Sequence, residues 1–261
     1  VDFKMDELPE FSSDEERRDW KFQHYMRDYM ACISSVDDSV AGLLDYIEEE
    51  GLSEDTLVIY TSDQGFYTGE HGWFDQRFMY EESHCMPFLI QMPGTIPAKS
   101  TSDEMILNID FPNLFLDYAN IDQAELGGQG KSFRDIVEGK EGAKGYDAIY
   151  YRYWDYPSEH NVYPHFGIRT RTHKLIRFED PTVTEGDKVY WELYDVNKDP
   201  LEIHNLANDP EYKDLLSDLK KKLWELKHEY KDDFDDYTPS PTDERWGFEP
   251  SRSNKCSCEY N

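Results

Sequence analysis

Residues 56 to 93, TLVIYTSDQGFYTGEHGWFDQRFMYEESHCMPFLIQMP, constrain the fold more than any other stretch. The apolar, β-branched run Leu57 to Tyr60 reads as a buried strand that stops at Thr61-Ser62-Asp63-Gln64-Gly65. A second apolar run, Phe88 to Met92, closes on Pro93-Gly94. Upstream, Ser12-Ser13-Asp14-Glu15 offers a capping box, and Tyr25, Tyr29, Ile33, Val36, Val40, Leu43, Leu44 and Ile47 recur at helical spacing up to Gly51. A long amphipathic helix leading directly into a strand is the helix-to-strand step of a doubly wound α/β sheet. The apolar stripe of that helix is expected in the core. Ligands of open parallel sheets bind where strands run out, which makes the oxygen-bearing pair Asp63 and Gln64 the first candidates for a site.

The later chain reads differently. Ile109-Asp110-Phe111-Pro112 opens a helix through about Tyr118, with proline tolerated in the first turn. The Gly- and charge-rich connection Gly127 to Gly145 places a domain boundary near 140. Ala148 to Trp154, Phe166 to Thr172, His173 to Phe178 and Tyr190 to Val196 are short strands rich in Tyr, Ile and Trp, and predict a small antiparallel sheet. A helix over 210 to 230 follows, with Leu215, Leu219, Leu223, Leu226 and Tyr230 as its buried stripe. From Asp232 the acid runs and prolines suggest a loosely held tail. The expected organisation is 1–140, 141–235 and an extended 236–261.

Charge narrows the partners. With 27 basic against 56 acidic residues the formal charge is −29, which opposes phosphate backbones and anionic lipids, so nucleic acid is not expected as a partner. No apolar stretch approaches the roughly 20 residues that span a bilayer. Four cysteines are too few and scattered for a disulfide framework. Cys256-Ser257-Cys258 is one residue short of the usual C-x-x-C spacing.

In order and spacing, Ser62-Asp63-Gln64-Gly65, Gly69-Glu70-His71-Gly72, Tyr80-Glu81-Glu82-Ser83 and the strand entry at Pro87-Phe88 resemble the second half of the catalytic domain of sulfatases, of the alkaline-phosphatase-like superfamily. Arg169-Thr170, Lys174-Leu175-Ile176, Glu192-Leu193-Tyr194-Asp195 and Asp199-Pro200-Leu201-Glu202 with Asn205-Leu206 resemble the wording of that family's carboxyl-terminal subdomain. The stretch Tyr151-Arg152-Tyr153-Trp154, followed by His160-Asn161-Val162 and His165-Phe166-Gly167-Ile168-Arg169-Thr170, is similar to bacterial glycan sulfatases, including those that remove 6-O-sulfate from N-acetylglucosamine. The fold so implied is α/β: part of a doubly wound sheet, then a small antiparallel sheet packed with a helix.

The resemblance implies a sulfuric ester hydrolase acting on a sulfated carbohydrate with Ca²⁺ and a formylglycine nucleophile, in a secreted or periplasmic protein. The Cys/Ser-x-Pro-x-Arg motif that yields formylglycine does not occur here; Cys85-Met86-Pro87-Phe88-Leu89 lacks its arginine. The chain therefore reads as the carboxyl-terminal part of a longer protein whose amino-terminal segment holds the nucleophile and the remaining metal ligands, and is expected to be inactive alone. An isolated Ser-Asp-x-Gly reads as a turn; by resemblance, Asp63 and Gln64 are metal ligands, and both offer the hard oxygens calcium accepts. His71 is expected as the catalytic sulfate contact or proton-transfer group, against the plainer role of shaping the Gly-rich loop. Gln76 stands where sulfatases commonly carry a sulfate-binding lysine, and a neutral amide does not offset charge. His165 and His160, in an aromatic loop between two strands, are expected substrate contacts. Two rivals stay open: a non-catalytic sulfated-glycan binder, and a phosphatase or phosphodiesterase relative on the same fold.

Overall fold

The computed structural model describes residues 9–232 except 124–126, 159 and 184–187; the expected tail at 236–261, with Cys256 and Cys258, lies outside the described residues. Helix α1, Asp14–Glu49, begins at Ser13, whose hydroxyl accepts the Glu16 N–H at 3.1 Å. Glu16 in turn accepts the Ser12 N–H at 2.7 Å, so the cap is reciprocal but built around Ser13 and Glu16. The expectation of a core stripe is corrected. No residue of α1 is buried, and Phe22, Met30, Ile33, Val36 and Leu43 are 43% to 55% exposed. Tyr25 and Tyr29 do find aromatic neighbours, Phe74 at 5.1 Å and Phe66 at 5.9 Å between ring centroids.

The two apolar runs share a sheet as read, but strand β1, Val58–Thr61, and strand β4, Phe88–Gln91, pair antiparallel, with Thr61 opposite Phe88. Between them lie a short hairpin, β2 (Tyr67–Thr68) and β3 (Phe74–Asp75), and one helical turn, α2 (Glu81–His84). Helix α3, Phe111–Tyr118, carries Pro112 in its first turn. It is anchored by Asp110, 1% exposed, whose carboxylate accepts the Leu107 N–H, the Lys131 N–H and the Tyr146 hydroxyl at 2.7 to 2.9 Å. A buried carboxylate needs such donors. One further turn, α4 (Arg134–Val137), leads to the second sheet.

That sheet is a four-stranded antiparallel meander of β5 (Ala148–Tyr153), β6 (His165–Thr170), β7 (His173–Glu179) and β8 (Val189–Asp195), in sequence order. Period-two alternation sorts its side chains. One face gives Ala148, Phe166, Ile168, Leu175 and Leu193 to a core completed by Leu219 and Leu223 of helix α5, Lys213–Glu229. The other face presents Ile176, Phe178 and Tyr194 to Met79, and with them His165, Arg169, Lys174 and Glu192 by register. The segment 76–85 thus lies on a sheet face that is half apolar and half ionic. Its approach is close: a Cβ at Gly167 would sit 2.4 Å from the Leu175 carbonyl oxygen and 2.5 Å from the Met79 sulfur. Among the described residues no helix is long and apolar enough to cross a membrane.

Candidate functional site

The end of β1 is stapled to α2. The Gly65 N–H donates to the Ser83 carbonyl at 2.9 Å, and a Cβ on Gly65 would lie 2.0 Å from the Glu82 carbonyl oxygen. The Gln64 side-chain N–H donates to the hydroxyl of fully buried Ser83 at 2.7 Å. An amide that spends its nitrogen this way leaves its carbonyl oxygen for a ligand. Next to it, the Asp63 carboxylate is exposed, in contact with the Ser62 hydroxyl at 3.3 Å. Neither side chain is sunk in apolar packing. Two hard oxygens side by side suit calcium, which takes roughly six to eight. Among the described residues no group of three or more His, Cys, Asp or Glu is placed to hold a metal, so these two oxygens by themselves do not make up a calcium shell.

His71 sits in a left-handed turn, φ 54°, between Gly69 at 130° and Gly72 at 71°. Its ring stacks on Tyr80 at 4.2 Å, and Nε2 lies 3.4 Å from a Glu82 carboxylate oxygen. The side chain is 15% exposed. The ring thus packs against the start of α2, the same element that fixes Gln64, through its stack on Tyr80 and its proximity to Glu82.

Around Gln76 the structure shows what the sequence reading missed. Asp75 and Arg77 flank it at φ 89° and 104°, and their side chains converge on His160. Arg77 donates from Nη2 to His160 Nε2 at 2.8 Å and lies 3.6 Å from the Asp75 carboxylate, which is 3.3 Å from His160 Nδ1. A guanidinium only donates, so Nε2 accepts and Nδ1 carries the hydrogen toward Asp75. The three side chains are 22% to 30% exposed. The signal available in sequence was the Asp-x-Arg pair around Gln76; its partner lies 83 residues on. The Gln76 carbonyl accepts the Trp73 indole N–H at 3.0 Å, which pins the loop.

The expected substrate contact at His165 is corrected. This histidine is 1% exposed, with ring centroids of Phe178, Tyr153, Tyr151 and Phe78 at 4.8 to 5.9 Å and Nδ1 2.8 Å from the Tyr163 carbonyl oxygen. Burial pushes its imidazole down to about 4. It alternates onto the covered face of β6 and acts as packing.

Beneath these groups lies a buried ionic cluster. Lys174, with no exposed side-chain surface, places Nζ 2.7 Å from Glu81 and 2.8 Å from Glu202. Arg169 bonds both Glu81 oxygens, at 3.2 and 2.9 Å. Burial alone would raise the Glu81 carboxyl; Arg169 and Lys174 override it and hold it at about 2. For Glu202 burial wins over Lys174, and the carboxyl is pushed up to about 7. Its Oε2 accepts the Glu81 N–H at 2.7 Å, the first donor of α2.

A family model described as N-sulphoglucosamine sulphohydrolase, C-terminal, matches residues 69–229, and one described as Sulfatase matches residues 5–121. An N-acetylglucosamine-6-O-sulfatase of Bacteroides thetaiotaomicron is 44% identical over 216 residues, which cover 82% of this chain and 37% of that relative. An arylsulfatase of Clostridium perfringens is 29% identical, over 75% of this chain and 38% of the relative. A solved structure in complex with its substrate D-glucosamine-2-N,6-O-disulfate superposes with a TM-score of 0.74 at 44% identity, covering 82% of this chain and 42% of that one. The chain thus spans well under half the length of these relatives.

Proposed function

The chain belongs to the sulfatase family, and we propose that it forms the carboxyl-terminal part of a sulfuric ester hydrolase acting on sulfated glucosamine, with 6-O-sulfated N-acetylglucosamine the first substrate to test. The observation that carries the reading is the strand end: the Asp63 carboxylate beside a Gln64 carbonyl that Ser83 leaves unpaired. These two oxygens would hold part of a divalent cation's shell, and their chemistry fits calcium. Bound there, such an ion supplies Lewis-acid polarisation and a template for the sulfuryl oxygens.

The chain's own residues have separable tasks in this proposal. His71, stacked on Tyr80 with Nε2 near Glu82, would as an imidazolium donate its Nδ1–H to a sulfate oxygen or to the departing sugar oxygen. Gln76 contacts the sulfate as a hydrogen-bond donor without a charge. Asp75, Arg77 and His160 present an acceptor and donors at the surface, the complement of vicinal sugar hydroxyls. Nucleophilic attack at sulfur needs a formylglycine that this chain has no motif to make. The division at about residue 140 has support in the separate core that the second sheet forms with α5.

The test is sulfate release from 6-O-sulfated N-acetylglucosamine with calcium, read by ion chromatography for the 261-residue chain and for the complete gene product. The chain alone should release none, the complete product should turn over, and Asp63→Asn should lower its rate at least about 100-fold, in line with removing one element of transition-state charge stabilisation. Robust hydrolysis by the chain alone, or an unaffected Asp63→Asn enzyme, defeats the proposal.

A further inference from the structure

Two arms of the candidate site hang from one helical turn. At α2, Glu82 lies 3.4 Å from the His71 ring, which stacks on the capping Tyr80, and Ser83 fixes the Gln64 amide, while the Ser83 carbonyl receives the Gly65 N–H. What positions α2 itself is not a neighbour in sequence. Its first N–H, on Glu81, is taken by Glu202, 121 residues away. The Glu81 side chain is held by Arg169 and Lys174 from the second sheet, and Lys174 ties back to Glu202. Glu202 is fully buried at its side chain and sits at φ 51°, a left-handed backbone that a non-glycine residue keeps only where its surroundings over-determine it. Between α2 and the strand end there is no slack, since a Cβ at Gly65 would already overlap the Glu82 carbonyl.

We propose that Glu202 is a positioning residue: through its bond to the Glu81 N–H and its pairing with Lys174 it sets the height of α2 on the second sheet, and thereby the placement of the Gln64 oxygen and the His71 ring. The part concerning metal rests on the sulfatase reading; the mechanical coupling does not. A carboxylate on the carboxyl-terminal sheet side thus governs groups at the end of β1 that it never touches.

The experiment compares three variants of the 261-residue chain. Glu202→Met removes the acceptor, Glu202→Gln keeps an oxygen for the Glu81 N–H, and Leu223→Ala weakens the fold from the opposite sheet face. Amide hydrogen exchange is read at Gly65, with the Gln64 side-chain amide resonances as a second probe. Glu202→Met should speed exchange at Gly65 about tenfold or more and shift the Gln64 amide signals, Glu202→Gln should restore both, and Leu223→Ala should leave Gly65 protected relative to its own global stability. Unchanged exchange in Glu202→Met, or an equal effect in Leu223→Ala, overturns the proposal. If Glu202→Met does not fold, the Glu202→Gln chain decides: loss of Gly65 protection there, with the acceptor retained, also overturns it. Calcium titration of the complete gene product, followed by calorimetry, separates the two readings. Weaker binding in Glu202→Met supports the link to the metal, whereas no calcium binding by the wild-type product removes the metal role and leaves the exchange result standing.

Discussion

Replacing Lys174 by Met gives the most direct measure of the buried ionic cluster. The thioether chain fills the same channel but strands two carboxylates, Glu81 and Glu202, that the ammonium bridges at 2.7 and 2.8 Å. At an effective dielectric of about 20, each pair at this separation attracts by about 6 kcal/mol gross. Most of that is offset by the dehydration of the ammonium, which the substitution recovers, so the expected net loss is about 3–5 kcal/mol at neutral pH. Glu81 keeps Arg169 and suffers less. Glu202 keeps only hydrogen-bond support from the Glu81 N–H and bears the rest.

The pH dependence has a definite sign. Glu202 titrates in the fold at about 7, above its ordinary 4.5, so its stabilising contribution is complete below about 4.5 and is lost as pH rises through about 7. Without Lys174 that carboxyl moves higher still, and the deficit of Lys174→Met should be largest near pH 8 and shrink toward pH 5. Urea unfolding followed by tryptophan fluorescence at several pH values measures it. The double variant Lys174→Met with Glu202→Gln should regain at least half the loss, because the stranded charge is gone. A deficit below about 1 kcal/mol, within the range of an exposed pair, or one independent of pH, would refute the idea of a dry, mutually dependent cluster.

Other outcomes follow from the same geometry. Burial pushes His84 down to about 3 and His165 to about 4, so the neutral rings contribute fully above about 6.5 and that contribution is lost as pH falls through about 4 and then 3, by about 1 kcal/mol per pH unit and histidine. Urea midpoints between about pH 7 and 4.5 should fall accordingly, and His84→Phe should flatten the slope. Leu223→Ala, at a fully buried position under the second sheet, should cost about 2–5 kcal/mol in thermal or urea unfolding, and a loss under about 1 kcal/mol would contradict the packing of α5. Asp75→Asn in the complete gene product should raise KM for the sulfated sugar about 10-fold or more with kcat little changed, since one charged hydrogen-bond partner is worth about 1.5–3 kcal/mol; steady-state kinetics that show a change in kcat alone would remove the hydroxyl-binding role.

Local patterns were legible in the sequence and long-range ones were not. Alternation and helical spacing named the four strands of the second sheet within a residue or two at each end, and placed Leu219 and Leu223 in the buried stripe of α5. The strand end at Asp63 and Gln64 was readable because its signal is contiguous. His160 could be flagged as a histidine in a loop, yet its convergence with Asp75 and Arg77 depends on how distant segments fold together, which no local periodicity encodes. His165 was misread for a related reason: its position on β6 fixes which face it takes, but only the docking of residues 76–85 makes that face the covered one. In α1 the spacing correctly announced an apolar side; what lies against that side is a property of the surroundings, and the described residues leave it open to solvent.

The two unlike faces of the second sheet also dictate where this protein can tolerate inserted residues. One residue added within β7 would invert every side chain beyond it, driving Lys174 or its neighbours into the leucines of α5 and turning Leu175 toward Glu81 and Glu202. Such a slip would be penalised on both sides at once, so strand length is frozen. Insertions belong instead in connections that carry no residue of the candidate site, which can lengthen while the frame that flanks them keeps its register.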